Sequence, residues 1–356
     1  MCGVGTARSS SVASALYVLH GRFAVRVLPM TTFRPQSWQP LPAPPLTGEL
    51  EKNDVLASAE LWPTPGLGPE DVVVEADGSA IAGLEDGRIV RVASSGAIDE
   101  IANVGGRPLG IEWLDDGVLV VCNADLGLQR VTLSGEVSPI VREFDGVDFI
   151  FTNNAAVADD GTIYFSDSST RWTFGEYLAD LLEGQPTGRV FAVTPDGSVA
   201  LVTDGLHFAN GVALDEKQES LFIAETGTYR VHRHWLTGER SGETELFLDN
   251  VAGFPDNLTF TDGILWVSMA SPRQRIVDLM LPRPWMRRLT YRMPDRLKPE
   301  PLKHGIVLGY DTEGRLVHNL QDASGRVAIT TSARFHDGRL YIGNLSEPHI
   351  AVYELP

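Results

Sequence analysis

With 356 residues, 43% of them hydrophobic and 21% charged, the chain can bury one large core or two ordinary ones, which excludes disordered and fibrous classes. Its 47 acidic against 29 basic side chains leave a net charge of −18, which opposes sequence-independent binding to nucleic acid or anionic lipid and favours a cationic or metal partner. The two cysteines, Cys2 and Cys122, can build neither a disulfide framework nor a Cys-rich zinc site, and 35 glycines with 22 prolines point to short strands and tight turns instead of a helix bundle.

The first apolar run, Val12 to Leu19, stops at His20-Gly21-Arg22, well short of the roughly 18 residues of a spanning helix. Arg22, Arg26 and the lack of a clear small-residue cleavage site make it a poor signal peptide, so the sequence predicts a soluble, cytoplasmic chain, with Met30 as the preferred start. Five prolines between Phe33 and Thr47 favour an extended arm over the fold. Residues 1–52 are therefore read as an N-terminal extension and 53–356 as a single domain.

That domain repeats one local pattern, a turn followed by an alternating apolar strand. It occurs at Ala76-Asp77-Gly78, Asp115-Asp116-Gly117, Asp159-Asp160-Gly161, Asp215-Glu216-Lys217, Thr261-Asp262-Gly263 and His336-Asp337-Gly338. The spacing suits a four-stranded propeller blade, and six copies predict an all-β, six-bladed β-propeller. Second hairpin signals, such as Glu85-Asp86-Gly87 and Pro195-Asp196-Gly197, supply further strands, and Cys122, beside the run Val118 to Val121, reads as core. A β-sandwich would also show frequent turns, but it has no reason to repeat the same turn chemistry at blade length. Two segments interrupt the pattern. Tyr177 to Glu183 has helical spacing. Arg273 to Lys303, between the fifth and sixth repeat strands, is helix-prone and holds nine basic residues against three acidic. It is read as a solvated connector or a lid over one mouth of the propeller, with weak peripheral membrane contact through Trp285, Met286 and Arg287 as a third reading.

Propellers bind ligands at the central channel, and four oxygen-rich turns sit just upstream of blade strands. They contain Glu70, Asn153-Asn154, Asn210 and Asp256-Asn257. Two carboxylates with neutral amides, and neither His nor Cys, match the hard-cation preference of calcium and leave room for a substrate oxygen. Any one of these pairs alone is an ordinary turn.

The chain resembles the calcium-dependent six-bladed propellers of the SMP-30/gluconolactonase and paraoxonase type, most closely their strictosidine-synthase-like branch. The resemblance runs from about Gly68 to the C-terminus through Gly106-Arg107-Pro108-Leu109-Gly110, Tyr164-Phe165-Ser166-Asp167-Ser168-Ser169, Phe208-Ala209-Asn210-Gly211, Ala224-Glu225-Thr226, Gly253-Phe254-Pro255-Asp256-Asn257 and Arg283-Pro284-Trp285. It implies calcium ligands at Glu70, Asn153, Asn210 and Asp256, and at Asn257 as in paraoxonase-like members. Asn154 departs from a frequent Asp, and Thr331 stands near the glutamate of true strictosidine synthases with no acid between Val327 and Phe335, so alkaloid condensation is not expected. The implied activity is hydrolysis of lactones or related esters, with Asp256 as base or nucleophile. His207 and His304 are further acid/base candidates or simply satisfied core or surface residues. Arg107 and Asn154 are the substrate-binding candidates, with turn packing before Pro108 as the other role for Arg107. A non-catalytic binding or adhesion propeller, and a sugar-acid lyase or isomerase on the same metal, are the competing functions.

Overall fold

The computed structural model describes residues 32–356 and the paired short strands Leu19–His20 and Phe23–Ala24. The apolar N-terminal run, its signal-peptide character and the start at Met30 lie outside the described residues. The chain divides into two units, Met1–Thr32 and Phe33–Pro356. The second unit is a six-bladed β-propeller of four-stranded antiparallel sheets. The innermost strands, in chain order, are Val72–Val74, Pro108–Asp115, Thr152–Val157, Ala209–Leu214, Gly253–Thr261 and Thr330–His336, and they open blades I to VI.

All six repeated apolar segments are second strands of their blades: Ala80–Gly83, Val118–Asn123, Ile163–Asp167, Ser220–Glu225, Ile264–Pro272 and Arg339–Asn344. The hairpins ahead of them follow from turn chemistry. Asp262 and Gly263 have φ of +53° and +74°, and Asp337 and Gly338 of +46° and +76°, the double positive φ of a two-residue turn whose twist matches its strands. In blade IV, which lacks the glycine, Gln218 takes φ +55°.

Alternation along each strand distributes its residues to both neighbouring blades. In blade II, Leu119 and Val121 pack with Ile81 and Ile89 of blade I, while Val120 and Cys122 pack with Ile163 and Phe165 of blade III. One apolar cluster of this kind fills every gap between adjacent blades. The ring closes where Glu60–Pro63 pairs with His349–Glu354 as the outermost strand of blade VI. Before that strand, the proline-rich stretch runs extended across the fold: Gln36 N donates to Glu183 O (2.9 Å), Trp38 N to Leu281 O (3.2 Å), and Asn319 Nδ2 to Glu49 O (2.9 Å).

Both interruptions lie between the second and third strands of a blade. In blade III the insertion carries helix α1 (Tyr177–Glu183), ended by Gly184 at φ +59°. In blade V it carries α2 (Arg275–Met280) and α3 (Pro284–Tyr291), the latter opening on the proline favoured at a first helical position. No helix among the described residues is long and apolar enough to cross a membrane.

Candidate metal centre

Each innermost strand enters the channel through a short step, of two residues in blades I to V and of one in blade VI. In blades II to VI the step is an irregularity of register against the second strand, at Leu109-Gly110, Asn153-Asn154, Asn210-Gly211, Asp256-Asn257 and Thr331; in blade I it is Glu70-Asp71, just before the strand. Such bulges re-aim side chains. The first residues of five steps, Glu70, Leu109, Asn153, Asn210 and Asp256, line one cavity of about 140 Å³.

The second residues hold the ring together. Asp71 Oδ2 accepts from Asn154 Nδ2 (3.2 Å) and from Ile111 N (3.1 Å), and Asn154 Oδ1 accepts from Val212 N (3.0 Å). Asn257 Nδ2 donates to both Glu70 oxygens at 3.2 Å. Glycine is required where backbones come closest: a Cβ at Gly211 would lie 2.3 Å from Leu258 N.

A shared relay aims the two asparagines of the first set. Asn153 Nδ2 donates to Ser168 Oγ (2.9 Å), which donates to Ala209 O (2.6 Å); Asn210 Nδ2 donates to Thr226 Oγ1 (3.1 Å), which donates to Pro255 O (2.6 Å). With the amide nitrogens engaged on the strand side, Oδ1 of Asn153 and of Asn210, and likewise of Asn257, is buried with no hydrogen-bond partner. A buried acceptor left unpartnered is costly, and three around two carboxylates need a shared donor or cation. The carboxylates tell the same story. Burial, then the charges of Asp256 and Asp71, push Glu70 well above the usual range against the opposing pull of Arg107. Burial pushes Asp256 up to about 7, although the Asn210 amide pulls the other way. The site is short of positive charge, and its donors are all hard oxygens; among the described residues no group of three or more His, Cys, Asp or Glu is arranged to hold a metal ion. Glu70, Asn153, Asn210, Asp256 and Asn257 therefore fit a calcium ion.

Four other sequence candidates are placed elsewhere, and none lines the cavity. Both ends of the Asn154 amide are spent on joining blades, which corrects its reading as a substrate contact. His207 turns to Glu225, whose carboxylate sits between His207 Nδ1 (2.9 Å) and His232 Nε2 (2.7 Å). Burial opposes ionisation of Glu225, but these hydrogen bonds hold it well below the ordinary carboxylate range. His304 is buried against Gln321 Oε1 at 2.9 Å, and burial lowers its pKa. Neither histidine is in position to act on a ligand in the cavity. Arg107 Nη1 donates to Gly68 O (2.9 Å) and its guanidinium lies 5.6 Å from the Phe174 ring centre, so it braces the turn that carries Glu70.

Several participants carry no motif. Ser168 and Thr226 lie within segments that resemble the family, but only the fold shows what their hydroxyls hold. Thr331 donates from Oγ1 to Glu70 O at 2.6 Å and so supports the backbone that carries this carboxylate. The cavity walls are largely apolar, with Phe151, Phe208 and Phe174 packed edge to face over Leu109. Segment 273–303 adds Val277, Met280, Leu281 and Arg287 to the lining, while α1 adds Leu181 and Leu182. Phe208, Tyr229 and Ile329, with φ of +65°, +59° and +52°, also line it; large side chains in left-handed backbone are rare and cluster at functional sites.

Known proteins are similar to this chain in sequence and in fold. The model of the strictosidine synthase family matches residues 153–239, and that of the strictosidine synthase-like N-terminal region matches 48–92, so the two matches include Asn153, Asn210 and Glu70. The adipocyte plasma membrane-associated protein of Salmo salar is 32% identical over 88% of this chain and 82% of its own length. STRICTOSIDINE SYNTHASE-LIKE 6 of Arabidopsis thaliana is 32% identical over 81% of this chain and 79% of its own. The chain belongs to the strictosidine synthase-like family. This family member also shares its fold with a gluconolactonase from Xanthomonas campestris (18% identity, TM-score 0.61, covering 84% of this chain and 90% of that one). A calcium-binding protein, regucalcin, from Agrobacterium tumefaciens is similar at 14% identity and TM-score 0.58, over 83% of this chain and 95% of that one.

Proposed function

We propose that this strictosidine synthase-like protein is a calcium-dependent hydrolase of lactones or related esters. The observation that carries the reading is the set of three unpartnered buried amide oxygens: those of Asn153 and Asn210, which line an apolar cavity with Glu70 and Asp256, and that of Asn257, whose amide is bonded to Glu70 behind them. A calcium ion held by these five residues supplies Lewis acidity towards a carbonyl oxygen and offsets the paired carboxylates. Glu70 is fixed through Asn257 and Thr331 and serves as a charge-balancing ligand. Asp256, which lines the cavity, is assigned in this reading to accept a proton from water or to attack the acyl carbon directly. The phenylalanines and the helical insertions exclude bulk water and seat the apolar part of the substrate. Thr331 is no acid and its hydroxyl is engaged, so the condensation performed by strictosidine synthases is not part of the proposal.

Segment 273–303 fits a lid that makes peripheral contact with a membrane surface. Trp285 and Leu289, one turn apart on α3, are 63% and 60% exposed in a strongly basic stretch, whereas Arg287 turns inward, which removes it from the surface reading. Calcium content of the purified protein, with a chelator-sensitive screen of lactones, aryl esters and phosphotriesters, tests the function. Calcium-loaded protein that turns over none of them refutes the hydrolase reading in favour of a binding propeller.

A further inference from the structure

Arg287 on α3 lines the cavity yet is only 1% exposed, and its Nε and Nη2 have no hydrogen-bond partner among the described residues. An unpaired buried charge is among the most costly features a fold can carry, and it persists where something outside the fold completes it. The nearby acids do not complete it. Glu183 on α1 gives Oε2 to Arg171 Nε and Trp172 Nε1, each at 2.8 Å, and Oε1 to Arg171 Nη2 at 2.9 Å. Glu300, on the cavity wall, does not reach Nε or Nη2 of Arg287, which have no partner. The C-terminus of α1 faces one side of the guanidinium, since a Cβ at Gly184 would lie 3.0 Å from Nη1. The negative end of that short helix favours the charge there but leaves Nε and Nη2 without a partner. Burial lowers the pKa of Arg287 to about 10, so the side chain stays charged at neutral pH.

The cavity therefore has three chemically distinct parts: the oxygen-rich ring at Asp256, apolar walls from Phe151, Leu181 and Val277, and one fork of unused N–H donors. A planar guanidinium edge with two free donors matches a carboxylate, which takes both in parallel. We propose that Arg287 anchors a carboxylate on the substrate, so that the cavity selects amphiphilic acids: lactones or esters carrying a free carboxylate across an apolar segment from the acyl group. The activity arm of this inference rests on the hydrolase reading; the binding arm does not.

The test is titration calorimetry of octanoate and of its neutral isostere octanamide with the full chain in calcium. Wild type is expected to bind octanoate at least 10-fold more tightly than octanamide, and Arg287→Met to lose that preference, with Arg287→Lys keeping part of it. Arg287→Met is also expected to melt at the same temperature as wild type or higher in the absence of ligand, because it removes an unpaired buried charge. Equal binding of octanoate and octanamide by wild type overturns the proposal. So does a preference that survives in Arg287→Met, and so does a lowered Tm with unchanged octanoate binding, which assigns the guanidinium to the support of α1. With an active enzyme, Arg287→Met should raise the KM of an acidic ester, relative to a matched neutral ester, by about 10- to 100-fold. If no ester or lactone is turned over but octanoate binding still depends on Arg287, the hydrolase reading fails and the anchor stands.

Discussion

Replacing Thr226 by valine probes how the candidate centre is aimed, because the exchange removes a hydroxyl and little else in volume. In the native fold Thr226 Oγ1 accepts from Asn210 Nδ2 at 3.1 Å and donates to Pro255 O at 2.6 Å, and Thr226 is only 5% exposed. Valine leaves both partners buried without that contact, so two neutral hydrogen bonds are lost at about 1 kcal/mol each, about 2 kcal/mol in all. A second effect concerns the metal. Without the hydroxyl, nothing holds the Asn210 NH₂ back from the Asp256 carboxylate on which it already pulls, and the amide is free to turn fully towards it, an arrangement worth at most about 1.5–3 kcal/mol as a hydrogen bond to a charged group. Calcium must reverse that flip before Oδ1 can serve as a ligand, which lowers its affinity by about 10-fold or more. Denaturant unfolding without calcium reads the first effect and calcium calorimetry reads the second. Ser168→Ala, which removes the equivalent relay to Asn153, should behave alike. A Thr226→Val protein that loses the expected stability yet binds calcium as tightly as wild type refutes the argument that these hydroxyls orient the ligand oxygens.

Asp256→Asn should keep an oxygen donor but remove the proton acceptor, lowering turnover of a lactone or ester by on the order of 10² or more at saturating calcium, whereas Glu70→Gln should chiefly weaken calcium binding and recover when calcium is raised; near wild-type turnover by Asp256→Asn excludes it from the chemical step. Asp180 on α1 is 2% exposed, and burial raises its pKa from 3.8 to about 7. Between those values the folded chain holds a proton that the unfolded chain has released, so this contribution to stability is complete below about pH 4 and is lost as pH rises to about 7, amounting to about 4 kcal/mol at most. Asp180→Asn should accordingly flatten the fall in Tm between pH 5 and pH 8, and an unchanged pH dependence counts against a buried, proton-holding Asp180. For the outer face of the insertion, Trp285→Ala with Leu289→Ala should reduce sedimentation with phosphatidylserine vesicles at low salt by several-fold; no binding by the wild-type chain rejects the membrane contact.

Much of this was legible in the sequence because it depends on neighbours a few residues apart. Asp-Gly turns such as Asp262-Gly263 and Asp337-Gly338 encode their own backbone, alternation along Val118 to Cys122 encodes two buried faces, and repetition of both at blade length encodes a propeller. The oxygen-bearing pairs were visible for the same reason, since each occupies the same place ahead of its blade's second strand. Partners far apart in the chain were beyond that reading. Asn257 meets Glu70 across 187 positions, and Asn154 meets Asp71 across 83, so local sequence could not distinguish an amide that faces the cavity from one spent on joining blades. The pairing of His207 with Glu225, the burial of Arg287 within a basic stretch that reads as surface, and the closing of blade VI by Glu60–Pro63 were likewise decided by tertiary structure. The physical reason is common to all of them: composition and spacing determine which groups a strand or helix presents, but the direction of a hydrogen bond and the exposure of a charge depend on what closure of the ring brings against them.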